Sequence, residues 1–259
     1  GDGFDATYTV ASAVAQPSVT VTEPGSGRPL DLPAGELLVF GGDEVYPASS
    51  VQGYEDRTTG PYRAALPAGR HTQERTLLAL PGNHDWYDGL TSFLRTFTQG
   101  RSYGAWRTKQ TRSYFVAQLP HRWWLVGLDT QLAANVDEPQ LRYLVRHISS
   151  QLEDGDGIIV ATAAPYWVHT VTRHNADAFN TLHFVERNYL RRKPGRKRGS
   201  LEPTGARVRL WLTGDAHHYA RFTEVTPEQL RDAELPGESE RPGETDRPGG
   251  AGPDRAEHD

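Results

Sequence analysis

Short apolar runs that stop at glycine recur along this chain. Leu37-Leu38-Val39-Phe40 runs into Gly41-Gly42-Asp43, and Leu77-Leu78-Ala79-Leu80 into Pro81-Gly82-Asn83-His84-Asp85. Val208, Leu210 and Leu212 alternate through "ARVRLWLTGDAHHY" before Gly214-Asp215. A short apolar run bounded by glycine predicts a buried strand. The opening "GDGFD" reads as the end of one more. In open α/β sheets, sites lie at the carboxyl ends of strands. Glycine there lets the backbone turn sharply and approach a bound group. The repeated placement of a ligand-type side chain after glycine therefore points to one functional site.

The segments between these strands carry helical periodicity. Leu90, Phe93, Leu94 and Phe97 fall on one face, with Gly100 as a stop. Pro139 opens a second helix whose face holds Leu141, Leu144, Val145, Ile148 and Leu152. "AFNTLHFVERNYLRR" suggests a third. "RSYFVAQLPHRWWLVGLDT" reads as two strands joined at Leu119-Pro120-His121, with Trp123 and Trp124 pointing opposite ways and Asp129 structural at the end. Strands alternating with helices predict an α/β domain. After about Thr226 the chain turns to Pro, Gly and charge, which predicts a disordered tail or linker over 226–259 beside a domain spanning 1–225. The basic run Arg191 to Gly205, with six Lys and Arg around Pro194-Gly195, reads first as a solvated mobile loop. A phosphate-rich partner or an anionic membrane is the alternative.

Composition narrows the chemistry. The 259 residues suffice for one sizeable α/β core. A net charge of −5 argues against nucleic acid as the main partner. With no cysteine there is no disulfide, thiolate ligand or cysteine nucleophile. That fits a reducing compartment, so a cytoplasmic location is favoured. Any metal must use His, Asp, Asn or Glu. The longest apolar stretch, Gly157 to Val168, is too short to span a bilayer. The chain starts at Gly1 and is expected to be part of a longer protein, which leaves room for a membrane anchor upstream.

"GGDEVYP", "GNHD" and "GDAHHY", in that order, resemble the calcineurin-like metallophosphoesterase superfamily. The likeness runs from Gly1 to about Val225. It implies two packed mixed β-sheets flanked by helices, an αββα sandwich, and hydrolysis of a phosphoester by a metal-activated water at a dinuclear site. The cofactors would be two divalent or trivalent ions, Mn, Fe or Zn, and the substrate a phosphorylated small molecule or nucleotide. The chemistry has a physical reason: two cations roughly 3.5–4 Å apart neutralise phosphoryl oxygens and activate water. The resemblance makes Asp43 the bridging carboxylate and Asn83 an amide-oxygen ligand. Asp215 would join Asn83 on one ion, and His217 would bind the other. His84 would face the phosphate, stabilising charge or protonating the leaving oxygen, a task that suits imidazole. Tyr46 and His218 are candidate substrate contacts. Trp86 and Tyr87 either wall the site or pack in the core.

Two blocks depart from the family pattern. The first block, D-x-H, is absent as such: only Asp2 and Asp5 stand at the right place, with no histidine near, and in a D-x-G-D variant Asp2 would be the second aspartate, the first lying before Gly1. The histidine expected after the fourth strand is replaced by Ala163-Ala164-Pro165, and His169 comes several residues late. A non-catalytic relative binding metal or a phosphorylated ligand is thus the alternative, with a nucleic-acid-processing module behind it. Taken singly, Asp43 also suits a turn or helix cap, and His84 a surface position.

Overall fold

The computed structural model describes residues 4–69, 72–130, 135–165, 176–197, 199–214, 219–221 and 223. Asp2, His169, Asp215, His217, His218 and the whole expected tail lie outside them. The chain divides into two units, Gly1–His217 and His218–Asp259; the fold and the site belong to the first.

The first described element is helix α1 (Phe4–Ala15), so the strand expected to end in "GDGFD" lies outside the described residues and Phe4 already begins a helix. A hairpin comes next, β1 (Ser18–Thr22) and β2 (Pro29–Pro33). Strand β3 (Leu37–Phe40) leads into α2 (Val51–Tyr54), a π-helical turn (Glu55–Thr59) and α3 (Gly60–Ala65). Beyond them are β4 (Arg75–Ala79), α4 (Asn83–Trp86), α5 (Thr91–Phe97), β5 (Ser102–Tyr103) and β6 (Trp106–Thr108). The hairpin β7 (Phe115–Leu119)–β8 (Trp123–Gly127) turns at Pro120–Arg122 as expected. Helix α6 (Glu138–Leu144) runs into a π-helical turn (Val145–Ser149), followed by β9 (Gly157–Thr162) and α7 (Ala176–Val185), which has its own π-helical turn (Glu186–Leu190). β10 (Arg192–Pro194), β11 (Leu201–Pro203) and β12 (Arg207–Thr213) complete the series.

Two four-stranded mixed sheets form the domain, in the orders β3-β4-β6-β5 and β12-β9-β8-β7. In the first, β3, β4 and β6 are parallel and β5 is antiparallel. In the second, β12, β9 and β8 are parallel and β7 is antiparallel. The apolar runs of β4, β8 and β9 are continuous because these strands are buried on both faces, whereas β12, expected to be buried, is an edge strand that leaves Leu210 and Leu212 exposed. Leu37 and Val39 join Leu78, Leu125 and Ala161 in a layer between the sheets. Leu38, Phe40, Leu77 and Ala79 turn the other way, onto Tyr54, Tyr62, Phe93 and Phe97. Val126, Ile158 and Val160 pack on Leu144, Ile148, Leu182 and Val185. The architecture is therefore the α/β sandwich that the resemblance implies, with helices outside both sheets.

Several expectations change in detail. The periodicity puts Leu94 and Val145 on buried helix faces, yet each is 36% exposed; they sit at the edge of stripes that their neighbours already fill. The basic run is a hairpin rather than an irregular loop: Arg192 pairs with Pro203 and Lys193 with Glu202, the latter an opposite-charge cross-strand pair. Trp123 is 37% exposed and Trp124 is buried, as alternation requires. No helix among the described residues is long and apolar enough to cross a membrane.

Candidate functional site

The carboxyl ends of β3 and β4 meet those of β9 and β12 from the opposite sheet. Gly42, just past β3, lies so close to its neighbours that a Cβ there would stand 2.9 Å from Ala163 Cβ and 3.0 Å from the Gly82 nitrogen. Its φ of 115° is closed to ordinary side chains. Gly214, just past β12, donates its N–H to Ala163 O at 2.9 Å, and a Cβ on it would stand 3.7 Å from Gly41 O. Asp43 comes directly after Gly42 and is in the left-handed region, φ 57°, which Asp tolerates better than most residues.

Asp43 is the hub of this junction. Its Oδ1 accepts the His84 backbone N–H at 2.9 Å, and its Oδ2 accepts the Tyr46 hydroxyl at 2.9 Å. Gly82 leaves room for it, since a Cβ there would stand 2.2 Å from Asp43 Oδ1. The Asn83 amide faces the same carboxylate and has two orientations. In one, Nδ2 donates to Asp43 Oδ2 at 3.0 Å and Oδ1 at 3.2 Å while Tyr87 donates to the amide oxygen at 3.2 Å. In the other, the amide oxygen faces the carboxylate and Nδ2 donates to Tyr87 Oη at 3.2 Å. The first satisfies every group on its own. The second sets oxygen against oxygen, and a cation shared by Asp43 and Asn83 is what would select it. A carboxylate, a carboxamide and a phenol are hard oxygen donors, so these residues fit such an ion.

The His84 ring stands over this junction. Its Nδ1 lies 2.6 Å from Pro47 O; a carbonyl only accepts, so Nδ1 carries a hydrogen and Nε2 is left for other partners. The ring sits 4.2 Å from that of Tyr46 and 4.8 Å from that of Tyr87. Tyr87 is exposed and lines the rim. Trp86 packs against the helical core and donates to Asp129 at 3.1 Å, so both are structural.

Asp85 and Glu44 support the junction from below. Asp85, fully buried, accepts the N–H groups of Asp43 at 2.7 Å and Gly82 at 2.8 Å, and the Tyr54 hydroxyl. Glu44 keeps some exposed atoms, but its Oε2 is buried and has no conventional partner, while Oε1 accepts the Gly42 N–H at 3.0 Å. Burial first, and then the facing Asp85 carboxylate, push the Glu44 pKa well above the ordinary range. Asp85 is raised by burial as well, but its three donors favour its charge. Of the two carboxyls, Glu44 is therefore the one pushed further toward its neutral form. Burial beside Asp85 also raises the Tyr54 phenol.

This arrangement predicts a pH dependence. A carboxyl whose folded pKa is raised stabilises the fold fully below its unfolded value, 4.5 for Glu, and loses that contribution as pH rises through the folded pKa. Gln presents the neutral form at every pH. Glu44→Gln is expected to match the parent in acid and to gain stability over it as pH rises. Urea midpoints across a pH series check this; a difference that stays flat with pH would place the proton elsewhere.

The structure thus brings together Asp43, Tyr46, Asn83 and His84. Tyr46, expected to contact substrate, has its hydroxyl on Asp43. Asp215 and His217 lie outside the described residues, but Gly214 just before them is at the junction. Among the described residues no three His, Asp or Glu side chains gather into a metal-holding group. Sequence reasoning does not single out Asp85 and Glu44 as site residues; the one legible signal is an acid three residues after Gly82, the spacing of a helix cap. Compared with known proteins, the chain matches no family model, no curated protein and no solved structure.

Proposed function

We propose that this chain is a metal-dependent phosphoester hydrolase of the calcineurin-like metallophosphoesterase type, acting at the strand-end junction. The observation that carries the reading is the meeting of Asp43, Asn83 and His84 where four strands from two sheets end. Asp43 and Asn83 would hold the cations, with Asp215, His217 and Asp2 as the further ligands the sequence suggests and Tyr46 close enough to join them. Such cations supply Lewis acidity, lowering the pKa of water and neutralising phosphoryl oxygens.

The chain's own groups do the rest. The His84 N–H and Tyr46 hydroxyl fix both oxygens of Asp43. The Pro47 carbonyl fixes the His84 ring through Nδ1. With Nδ1–H held there, Nε2 can donate to the leaving oxygen only from the imidazolium, which loses its Nε2 proton and remains as the neutral Nδ1–H ring, and the exposed Tyr87 offers an apolar wall to the leaving group. Hydrolysis of a chromogenic phosphoester that is lost on chelation and restored by Mn²⁺ is the expected result. His84→Ala should retain metal and slow turnover by about 10²–10⁴-fold if the ring is the general acid. Unchanged turnover with metal content confirmed would remove His84 from the chemistry.

A second reading, a module that binds metal or phosphate without turnover, is favoured by one feature. The end of β9 brings the Ala163 methyl against Gly42, in place of an imidazole. Tight Mn²⁺ binding with no hydrolysis would select it.

A further inference from the structure

We propose that a hollow lined by Arg191, Arg207 and Arg209 is a second site, built to bind a phosphate group and separate from the strand-end junction. Arg207 is the first residue of β12 and lies in register with Gly157, the first residue of β9. The hollow is therefore at the amino end of the sheet, whereas Gly214 marks the carboxyl end. A seven-residue strand at about 3.3 Å per residue separates the two by roughly 20 Å. No residue is shared between them.

Shape, charge and backbone agree on this role. The hollow has a volume of about 460 Å³, and Gly155 and Gly205 contribute walls without side chains. Its one acid is Asp154, which folds over Gly205 so closely that a Cβ there would stand 2.1 Å from Asp154 Oδ1. Arg191 shares Glu186 at 3.6 Å. Arg207 and Arg209 have no carboxylate within ion-pair distance among the described residues. A single unpaired arginine on a surface is ordinary. Three around one concavity repel one another, and the natural counter-ion is an anion that several guanidinium forks can hold at once. Phosphate suits this better than a carboxylate, because it offers three oxygens to bidentate donors.

The strand itself is shaped for the purpose. Pairing between β12 and β9 is regular except between Val208 and Leu210, which leaves Arg209 as the extra residue. Residues two apart on a strand share a face, so Arg207 and Arg209 both line the hollow. The cationic surface also continues outward. The Thr204 N–H donates to Arg191 O at 3.0 Å, closing the β10–β11 hairpin beside the hollow. That hairpin carries Arg192, Lys193, Arg196 and Lys197, opposed by Glu202. A compound with several phosphates would meet both the hollow and the hairpin. Its source is either a free polyphosphorylated molecule or a lipid headgroup.

The test uses the full chain in EDTA, so that no metal recruits phosphate to the other end. Tripolyphosphate is titrated by calorimetry, and vesicles of phosphatidylcholine with phosphatidic acid are compared with phosphatidylcholine alone. Replacing both Arg207→Gln and Arg209→Gln should weaken binding about 10- to 100-fold, the range for charged hydrogen bonds. Arg207→Lys with Arg209→Lys, which keeps charge and fold, should recover part of that loss. Sensitivity in the tripolyphosphate arm assigns a free compound. Sensitivity in the vesicle arm alone assigns a lipid headgroup. Binding in neither arm, or equal affinity for the parent and the Gln variant, overturns the proposal. Equal loss in the Gln and Lys pairs would mark a structural effect and overturn it too.

Discussion

Asp43→Asn is expected to remove metal-dependent turnover, by at least about 10²–10³-fold, the scale of losing one key electrostatic group, while the protein stays folded. The reasoning rests on what the substitution keeps. Asn tolerates the left-handed backbone that residue 43 adopts. Its Oδ1 still accepts the His84 N–H, as Asp43 Oδ1 does at 2.9 Å. What disappears is the negative charge that would hold the proposed cations, and a neutral amide would hold them poorly. Metal content by elemental analysis should fall with activity, while thermal unfolding stays near that of the parent. Full metal occupancy and turnover in Asp43→Asn would show that the cations are held by other groups.

Gly42→Ala should have the largest effect on stability. The backbone at φ 115° is strained for any side chain, at a cost of order 1–3 kcal/mol. The added methyl would also meet Ala163 Cβ at 2.9 Å and Gly82 at 3.0 Å, and such overpacking costs typically about 1–3 kcal/mol more. A loss of about 2–6 kcal/mol in urea unfolding is expected on those two grounds. Alanine at the nearby Gly41, where no neighbour lies within 4 Å of the added Cβ, is the control and should cost far less. Equal effects at the two positions would mean that the junction is less tightly closed than its geometry implies.

The legible parts of this protein are those written locally. Strands β3 and β4 announce themselves as apolar runs ending at glycine, and Asp43, Asn83 and His84 are legible as the residues after those glycines; β12 is found by its alternation, but its edge position, which leaves Leu210 and Leu212 exposed, is not legible locally. The helical stretch from Val51 to Ala65 escapes a reading by periodicity: Gly53, Gly60 and Pro61 interrupt it, and its buried face rests on Tyr54 and Tyr62 rather than a periodic stripe. The support beneath the site is hidden for a different reason. Asp85 takes its donors from Tyr54, 31 residues away, and from Asp43, 42 residues away. Only the folded chain brings an acid pair such as Glu44 and Asp85 under one loop. The pairing of Lys193 with Glu202 likewise exists only once the basic run closes into a hairpin.

The most direct test of the strand-end metal site is a Mn²⁺ titration of ¹⁵N-labelled protein. Bound Mn²⁺ broadens nearby amide signals. The signals of Gly42, Gly82, His84 and Gly214 should broaden first and together, while those of Gly157 and Arg207 at the far end of the sheet remain sharp. Asp43→Asn should abolish the pattern. Mn²⁺ that binds while the strand-end glycines stay sharp, or that broadens both ends alike, would contradict a metal site at the strand ends.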